Sequence, residues 1–261
     1  MKRFDGKVAF IAGGTTGIGL GIARAFVAER ARVVIVGRSR EKGEAALSEL
    51  RAMDGDVLFI SADVTDAADV ERAVAETVKS YGRLDCAINN AVNSQYNEDH
   101  LSTHEGSIEA YDRYMAVLVR SVWVGMKFQL QQMMKQGSGS IVNTSSVDAL
   151  RCHSGGAGQA IYCAGKCAVI GLTRAVAKEY AKKGIRVNIL CPGGFDTPLM
   201  DELYVGKSPK EAEELTAWLN AQVPMGRLGN TPEAAAAVLW LCSDEASYVT
   251  GHNMVVSGGM D

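Results

Sequence analysis

The chain has 261 residues, of which 47% are hydrophobic and 22% charged, and its 27 basic and 30 acidic side chains give a formal net charge of −3. A chain of this length can bury most of its apolar surface, so its stability requires neither a metal nor a disulfide. The mixed charge argues against nucleic acid as a partner. No linker or charge run divides residues 1–261, so we expect one domain that binds a small molecule.

The cysteines and the N-terminus indicate the cellular compartment. The six cysteines include no CxxC pair, and the opening stretch MKRFDGKVAF is too polar for a signal peptide, so the sequence predicts a cytoplasmic protein. Cys163 and Cys167 lie four residues apart, but no nearby histidine or carboxylate completes a metal site, and packed thiols are favoured. No apolar run approaches about 18 residues, so no membrane span is predicted.

Apolar runs alternate with segments of helical periodicity along the chain. The runs are VAFIA (8–12), RVVIVG (32–37), VLFIS (57–61), CAINN (86–90), SIVNTS (140–145) and RVNILC (186–191). Residues 17–30, 41–53 and 67–82 have helical spacing and are long enough to cross over a sheet. This alternation predicts an α/β fold of the Rossmann type, a doubly wound parallel sheet with helices on both faces. Ligands bind such sheets beyond the carboxyl ends of the strands.

A glycine-rich stretch, GGTTGIG, follows the first predicted strand. Gly13, Gly17 and Gly19 are spaced G-x3-G-x-G and lead directly into a helix. Glycines permit a sharp turn and close approach to a pyrophosphate, and the helix N-terminus offers unpaired N–H groups. The pattern alone is weak evidence, but its position between strand and helix favours a phosphate-binding loop over an ordinary turn.

The end of the second strand bears on the choice between NAD and NADP. An acidic residue there selects NAD, whereas a basic one accommodates the 2′-phosphate of NADP. Here the strand ends in Gly37, followed by Arg38 and Ser39, which both suit a phosphate, so NADP is favoured over NAD. The alternative is an exposed surface arginine. After the third strand, Asp63 is a candidate acceptor for the adenine amino group, and a helix N-cap role for the neighbouring Thr65 or Asp66 is an equal alternative.

Near the middle of the chain, Tyr162 and Lys166 are four residues apart in AIYCAGKCAVIGL. One such pair is within the reach of chance. If the segment is helical, however, the phenol and the ammonium share one face and reach the same ligand.

Together these motifs resemble the short-chain dehydrogenase/reductase family, in its short single-domain branch, over essentially the whole chain. The resemblance rests on ordered motifs, namely Gly13-x3-Gly17-x-Gly19, Asp63-Val64, Asn89-Asn90-Ala91, Ser146, Tyr162-x3-Lys166 and Pro192-Gly193-x3-Thr197. It implies hydride transfer between a nicotinamide cofactor and a secondary alcohol or ketone carbon.

The resemblance also implies the roles of individual residues. Tyr162 would be the general acid or base, Lys166 would lower its pKa and bind the nicotinamide ribose, and Ser146 would orient the substrate oxygen. For Ser146 the alternative is a turn serine at a strand end. The expected cofactor-binding residues are Gly13, Thr15, Thr16, Gly17, Ile18, Gly19, Arg38, Ser39, Asp63, Val64, Asn90, Ala91, Tyr162, Lys166, Pro192, Gly193, Phe195 and Thr197.

The sequence departs from the family at several positions. The family has an asparagine that holds a water of a proton relay, and alignment places Leu118 there; a relay rebuilt from Arg120 or Ser121, a shorter route to solvent and weakened catalysis remain open. Val92 replaces a glycine, followed by a longer segment over 93–110. Between Ser146 and Tyr162, additional residues bring Asp148, Cys152 and His153 within reach of substrate.

Residues 195–225 are expected to form a substrate lid of one or two helices, with Leu199, Met200, Tyr204 and Trp218 as its apolar side chains. The same apolar spacing equally suits simple packing. The expected substrate is a hydrophobic or cyclic alcohol or ketone, with neither nucleic acid nor membrane as a partner. The resemblance implies a homotetramer or homodimer. The alternative functions are an enoyl-type double-bond reductase of the same fold and a cofactor-binding sensor with weak turnover.

Overall fold

A computed structural model describes residues 2–92, 102–152 and 159–260. Its sheet has seven strands: β1 (Val8–Ala12), β2 (Arg32–Gly37), β3 (Val57–Ser61), β4 (Cys86–Asn89), β5 (Gly139–Thr144), β6 (Ile185–Pro192) and β7 (Asn253–Val256). Every pairing is parallel, in the order β3-β2-β1-β4-β5-β6-β7. The order reverses between β1 and β4, which creates a crevice at the carboxyl ends of these strands.

Helices connect the strands on both sides of the sheet. They are α1 (Gly17–Ala28), α2 (Arg40–Ala52), α3 (Ala67–Tyr81), α4 (Ile108–Met115), α5 (Ser121–Gln136), α6 (Asp148–Arg151), α7 (Gln159–Tyr180), α8 (Pro198–Asp201), α9 (Pro209–Ala221) and α10 (Thr231–Cys242). A π-helical turn over Ala116–Arg120 joins α4 to α5. The predicted doubly wound fold is confirmed.

The strands are buried because both of their faces are apolar. In β2, Val33 and Ile35 pack in the layer that contains α1, α2 and α10, whereas Val34 and Val36 pack in the layer that contains α3, α5 and α7. Burial of each such side chain contributes about 1.5–3 kcal/mol. The two layers hold the sheet rigid from both sides, so the loops at its carboxyl edge start from fixed points.

The element boundaries agree closely with the sequence patterns. The first three predicted strands coincide with β1, β2 and β3, and the other three differ by one or two residues at their ends. The last strand, β7, has half-buried residues because it lies at the edge of the sheet.

Helix α7 contains a long apolar stretch, although the sequence contains no unbroken apolar run of about 18 residues. Within the segment Gln159–Lys183, an 18-residue window has a mean hydropathy of 1.3, so the helix is long and apolar enough to cross a membrane by length and composition alone. The core helix of a compact protein meets the same criteria, and α7 packs against β6 and carries the buried, polar Lys166. The apolar character of the helix is therefore accounted for by its contacts with the sheet.

Candidate active site

A cavity of about 790 Å³ opens at the carboxyl edge of the sheet. All but one of the expected site residues line it: Gly13, Thr15, Thr16, Gly17, Ile18, Arg38, Ser39, Asp63, Val64, Asn90, Ala91, Ser146, Tyr162, Lys166, Pro192, Gly193, Phe195 and Thr197. The exception is Gly19, which lies behind the loop. The structure thus brings together residues that are far apart in the chain.

The glycine loop between β1 and α1 is shaped by close backbone contacts. Gly13 has φ +75°, and a Cβ added to it would lie 2.7 Å from the Cα of Ala91. A Cβ on Gly19 would lie 1.9 Å from the carbonyl oxygen of Gly13. No larger residue fits either position without moving backbone. The first residues of α1, Gly17 and Ile18, line the cavity and present the N-terminal end of the helix to it.

The loops after β2 and β3 form the far end of the cavity, which we call the adenosine end and define by Arg38, Ser39, Lys42 and Asp63. Arg38 is 58% exposed, and its guanidinium lies 3.9 Å from the Asp63 carboxylate. The Ser39 hydroxyl accepts a hydrogen bond from the N–H of Lys42 at 3.2 Å and caps α2, while its own proton can still be donated.

Asp63 uses one carboxylate oxygen to hold its own loop. That oxygen accepts hydrogen bonds from the N–H and the hydroxyl of Thr65, each at 2.8 Å. Asp66, which follows, is the N-cap of α3 and accepts from the N–H of Ala68. The Asp63 carboxylate is therefore fixed beside Arg38 at the adenosine end.

Ser146, Tyr162 and Lys166 meet at the centre of the cavity. Ser146 follows β5 and forms a hydrogen bond with Tyr162 on α7. Lys166, one turn further along α7, donates from Nζ to the carbonyl oxygen of Thr144 at 3.1 Å, and its Nζ lies 5.7 Å from the centroid of the Tyr162 ring. A second bond, from the Ser145 hydroxyl to the Lys166 carbonyl at 2.8 Å, ties the helix to the strand end.

The protonation of this group is governed mainly by burial. Burial raises the pKa of Tyr162 to about 12, and the hydrogen bond with Ser146 lowers it less than burial raises it. The Asp148 carboxylate raises it further. Burial also lowers the pKa of Lys166 to about 8. Desolvation of the phenol is therefore the largest influence on its pKa in this structure, and the lowering expected from Lys166 stays a prediction.

A buried polar network lies beneath the site and was not anticipated. The amides of Asn89 and Gln129 exchange two hydrogen bonds, at 2.8 and 3.0 Å, and Asn89 also donates to Asn143 at 2.8 Å. Asn143 in turn donates to the Thr173 hydroxyl at 2.9 Å. The network joins β4, β5, α5 and α7 immediately below Asn90 and Ser146. Fully satisfied buried networks of this kind hold their members in one arrangement.

Leu118 lies in the π-helical turn and is 3% exposed. Its side chain faces Gly165, where an added Cβ would lie 2.8 Å from Leu118 Cδ1. Among the proposed substitutes, Arg120 donates to the carbonyl oxygen of Thr65, and Ser121 donates to that of Val117. Both side chains are therefore engaged with backbone away from Lys166, whose own partner is the Thr144 carbonyl.

The substrate side of the cavity agrees with the sequence in part. Leu199 and Met200 of α8 line the cavity, as does Asp148. Tyr204 and Trp218, expected in the lid, are not among the lining residues: the Tyr204 hydroxyl bonds that of Thr216, and Trp218 is 59% exposed. Tyr204 ends the short helical turn Glu202–Tyr204 and Trp218 lies on α9, and their part in a lid stays a prediction.

The sequence predicts that Cys152 and His153, in the loop before Tyr162, lie within reach of substrate. It also favours packed thiols over a metal site at Cys163 and Cys167. Cys152 is exposed and forms a hydrogen bond with Cys163, and burial raises the pKa of the Cys163 thiol to about 11. Within the ranges 2–92, 102–152 and 159–260, no cluster of histidines, cysteines and carboxylates is arranged to hold a metal. His153 and residues 93–101 lie outside the described residues.

Some lining residues were missed by the sequence. Lys42 lies in the first turn of α2, and its place as a basic residue soon after the end of β2 was an available signal. The carbonyl of Thr144 holds Lys166, and its hydroxyl donates to the Asn90 side chain at 3.1 Å. Met260 reaches the cavity from the C-terminal end. Backbone acceptors and contacts from distant segments leave no sequence pattern.

The residues present fit a nicotinamide dinucleotide. The backbone at Gly13 and Gly19 leaves room that a side chain would fill, the start of α1 suits a pyrophosphate, and cations stand at the adenosine end. The phenol, serine hydroxyl and ammonium at the other end are suited to proton transfer at an oxygen.

Comparisons with known proteins agree with this geometry. Residues 12–261 match a family model described as enoyl-(acyl carrier protein) reductase. The 2,5-dichloro-2,5-cyclohexadiene-1,4-diol dehydrogenase LinX of Sphingobium indicum is 37% identical over 258 residues, covering 99% of this chain and 97% of that protein. Levodione reductase of Leifsonia aquatica is 36% identical over 260 residues, covering 98% and 95%. The crystal structure of a variant of actinorhodin polyketide ketoreductase with NADPH has a TM-score of 0.88 at 32% identity, covering 97% of each chain.

Proposed function

Because this chain belongs to the short-chain dehydrogenase/reductase family, and is an NAD(P)-dependent oxidoreductase of that family, we propose that Ser146, Tyr162 and Lys166 catalyse the interconversion of a secondary alcohol and a ketone. The observation that carries the assignment is the meeting of these three side chains in one cavity with the glycine loop. A bound nicotinamide supplies or accepts the hydride.

Ser146, Tyr162 and Lys166 each have a separate role in the proposed reaction. Ser146 holds the substrate oxygen by a hydrogen bond, and Tyr162 donates its proton to the oxygen as negative charge develops there, or removes the proton in the reverse reaction. Lys166 stands beside the phenol and offers a positive charge in a buried site, where electrostatic interactions are strong. The backbone of Gly13 and the start of α1 hold the phosphates.

The protonation states favour reduction of a ketone at neutral pH. A tyrosine with a pKa of about 12 carries its proton and is ready to act as an acid. The pKa of Lys166 is about 8, so its charge is present below that pH and is lost as the pH rises through it. Reduction should therefore slow above about pH 8, and oxidation should gain from alkaline conditions.

For the cofactor we propose a preference for NADP over NAD. Gly37 provides no carboxylate at the end of β2, and Arg38, Ser39 and Lys42 surround the position that a ribose 2′-phosphate would take. A guanidinium and an ammonium suit a phosphate, and a carboxylate at position 37 would be repelled by it.

The proposed substrate is a hydrophobic or cyclic alcohol or ketone. Val92, Val117, Val147, Leu199 and Met200 line the substrate side with apolar groups. LinX is named as the dehydrogenase of a cyclic diol, and levodione reductase is named for a dione. We also propose that α8 and α9, within residues 195–225, form the lid.

A carbon–carbon double-bond reductase is the second candidate. It is favoured by the description of the matching family model and by Leu118 in place of the relay asparagine. The pairing of Ser146 with Tyr162 supports carbonyl chemistry instead, because it places two hydroxyls where one carbonyl oxygen would sit. Assay of enones that also contain an isolated ketone separates the two, since the product shows which group was reduced.

We propose that the chain forms a homotetramer or homodimer through α5 and α7. Between these helices lies a groove lined by Trp123, Leu130, Met134 and Tyr180, with Trp123 half exposed. The lining also includes Lys127, Gln131, Lys135 and Glu179, and a face that combines apolar and charged side chains suits a second copy of the same chain. A monomer in light scattering at micromolar concentration would contradict this proposal.

The assignment of the acid is tested by Tyr162→Phe. The variant should bind NADPH as the wild type does but reduce ketones at least about 100-fold more slowly, the scale of general acid catalysis. Tyr81→Phe is the matched control, since Tyr81 bonds Asp56 outside the cavity. The measurement is NADPH absorbance over a panel of cyclic and acyclic ketones, with cofactor binding followed by fluorescence. Near-normal turnover by Tyr162→Phe would refute the role.

A further inference from the structure

The charged residues of the cavity are divided unevenly between its two ends. Among the described lining residues, Arg38, Lys42 and Asp63 lie at the adenosine end, and Lys166 is buried beneath the centre. On the substrate side, the charged lining residue that the structure describes is Asp148. It stands in a wall that is otherwise rich in valine, leucine and methionine.

Asp148 is held close to the reacting centre. It begins α6, two residues after Ser146, and its backbone N–H donates to Ser146 Oγ at 3.1 Å. Its carboxylate oxygen Oδ2 lies 3.5 Å from the same Oγ. The carboxylate is therefore one hydrogen-bond length beyond the hydroxyl that holds the substrate oxygen, and it is half-buried.

The Asp148 carboxylate has the capacity for more than one hydrogen bond. It has two oxygens with about four acceptor sites, so it can bond Ser146 and still accept from a ligand. An apolar substrate that covers it removes water without replacing its hydrogen bonds, which costs binding energy. A substrate with a hydroxyl next to the reacting oxygen would restore a charge-assisted hydrogen bond, whereas an anionic group there would be repelled.

We propose that Asp148 determines substrate specificity by accepting a hydrogen bond from a hydroxyl on the carbon adjacent to the reacting one. The substrate class is then the α-hydroxy ketones and vicinal diols with an apolar ring or chain. The inference rests on the proposed carbonyl chemistry at Tyr162 and Ser146 and deepens it. The adjacent carbon is selected because Ser146 and Asp148 are neighbours, so their ligands must be neighbours too.

Asp148 also contacts Ser146 and raises the pKa of Tyr162, so its replacement can alter catalysis in general. Those effects act on every ketone equally. A ratio of two substrates that differ only at the adjacent carbon cancels them. The specificity role is therefore measured by the ratio of kcat/KM for 2-hydroxycyclohexanone to that for 2-methylcyclohexanone, in which a methyl group of similar size replaces the hydroxyl.

The experiment compares wild type, Asp148→Asn and Asp148→Ala, with Asp196→Asn as the matched control. Asp196 is an exposed carboxylate between Phe195 and Thr197 that does not line the cavity. The wild type should favour the hydroxy ketone, and both Asp148 variants should lower the ratio by about tenfold or more, the scale of a hydrogen bond to a charged group. Asp196→Asn should leave the ratio unchanged. Thermal unfolding confirms that each variant is folded.

The outcomes separate the possibilities. An unchanged ratio with equal losses on both ketones overturns the proposal and leaves Asp148 as a residue that orients Ser146. The proposal is also overturned if the wild type reduces neither 2-hydroxycyclohexanone nor 2-methylcyclohexanone. The proposed function fails separately, only if a wider panel of ketones without an adjacent hydroxyl gives no turnover either.

Discussion

The two ends of the cavity are built in different ways. At the phosphate end, backbone defines the surface: Gly13 and Gly19 are in contact with main-chain atoms, and the start of α1 is presented directly. At the substrate end, side chains define it: Asp148, Leu199 and Met260 come from three separate segments. The phosphate end suits a ligand of constant shape. At the substrate end, a single substitution can change the shape and polarity of the cavity wall.

This difference has an energetic consequence. A change in a backbone-lined loop has to move main chain, which costs several contacts at once. A change in a side-chain wall alters one contact and leaves the scaffold in place. Variants of the first end should therefore affect cofactor binding whatever the substrate, and variants of the second end should leave cofactor binding intact.

Gly19→Ala is expected to have the largest effect at the backbone end. Its methyl group would lie 1.9 Å from the Gly13 carbonyl oxygen, so the loop must shift. Overpacking of this kind costs about 1–3 kcal/mol, and we expect the Kd for NADPH to rise by about 10- to 100-fold. Gly171→Ala on the exposed face of α7 is the control, since nothing lies within 4 Å of its added Cβ. Titration that gives equal Kd values for both variants would contradict the described loop.

Arg38→Asp is expected to have an intermediate effect, confined to cofactor choice. Loss of a charge-assisted bond and the introduction of a repelling carboxylate should shift the ratio of NADP to NAD affinity toward NAD by about tenfold or more. Arg40→Asp makes the same charge change at an exposed residue outside the cavity lining and should leave the ratio near that of wild type. Equal ratios in the two variants would identify Arg38 as an ordinary surface residue.

Leu118→Asn is expected to have the smallest effect on rate. Because Lys166 already donates to the Thr144 carbonyl, the rate of reduction should change by no more than about threefold, and its decline above about pH 8 should persist. The unfolding temperature should fall, since a buried amide replaces packing against Gly165. Leu118→Ala controls for lost volume. A tenfold faster reduction in Leu118→Asn alone would show that an asparagine relay had been limiting.

The sequence predicted the backbone end well. Strands β1 to β3 and the loop between β1 and α1 were located because apolar periodicity and glycine spacing are local properties. Asp63 and Arg38 could be placed for the same reason, since each directly follows a strand. At the substrate end, the sequence predicted four apolar lid residues; Leu199 and Met200 line the cavity, whereas Tyr204 and Trp218 do not, because apolar spacing alone cannot show which segments reach it.

The sequence by itself determined the order of strands and helices, the doubly wound fold and the identity of the three central side chains. Only the tertiary structure decided how those side chains are protonated and what surrounds them. Burial raises the pKa of Tyr162 to about 12 and lowers that of Lys166 to about 8. Desolvation depends on every atom packed around a group, and those atoms come from segments that the chain order does not connect.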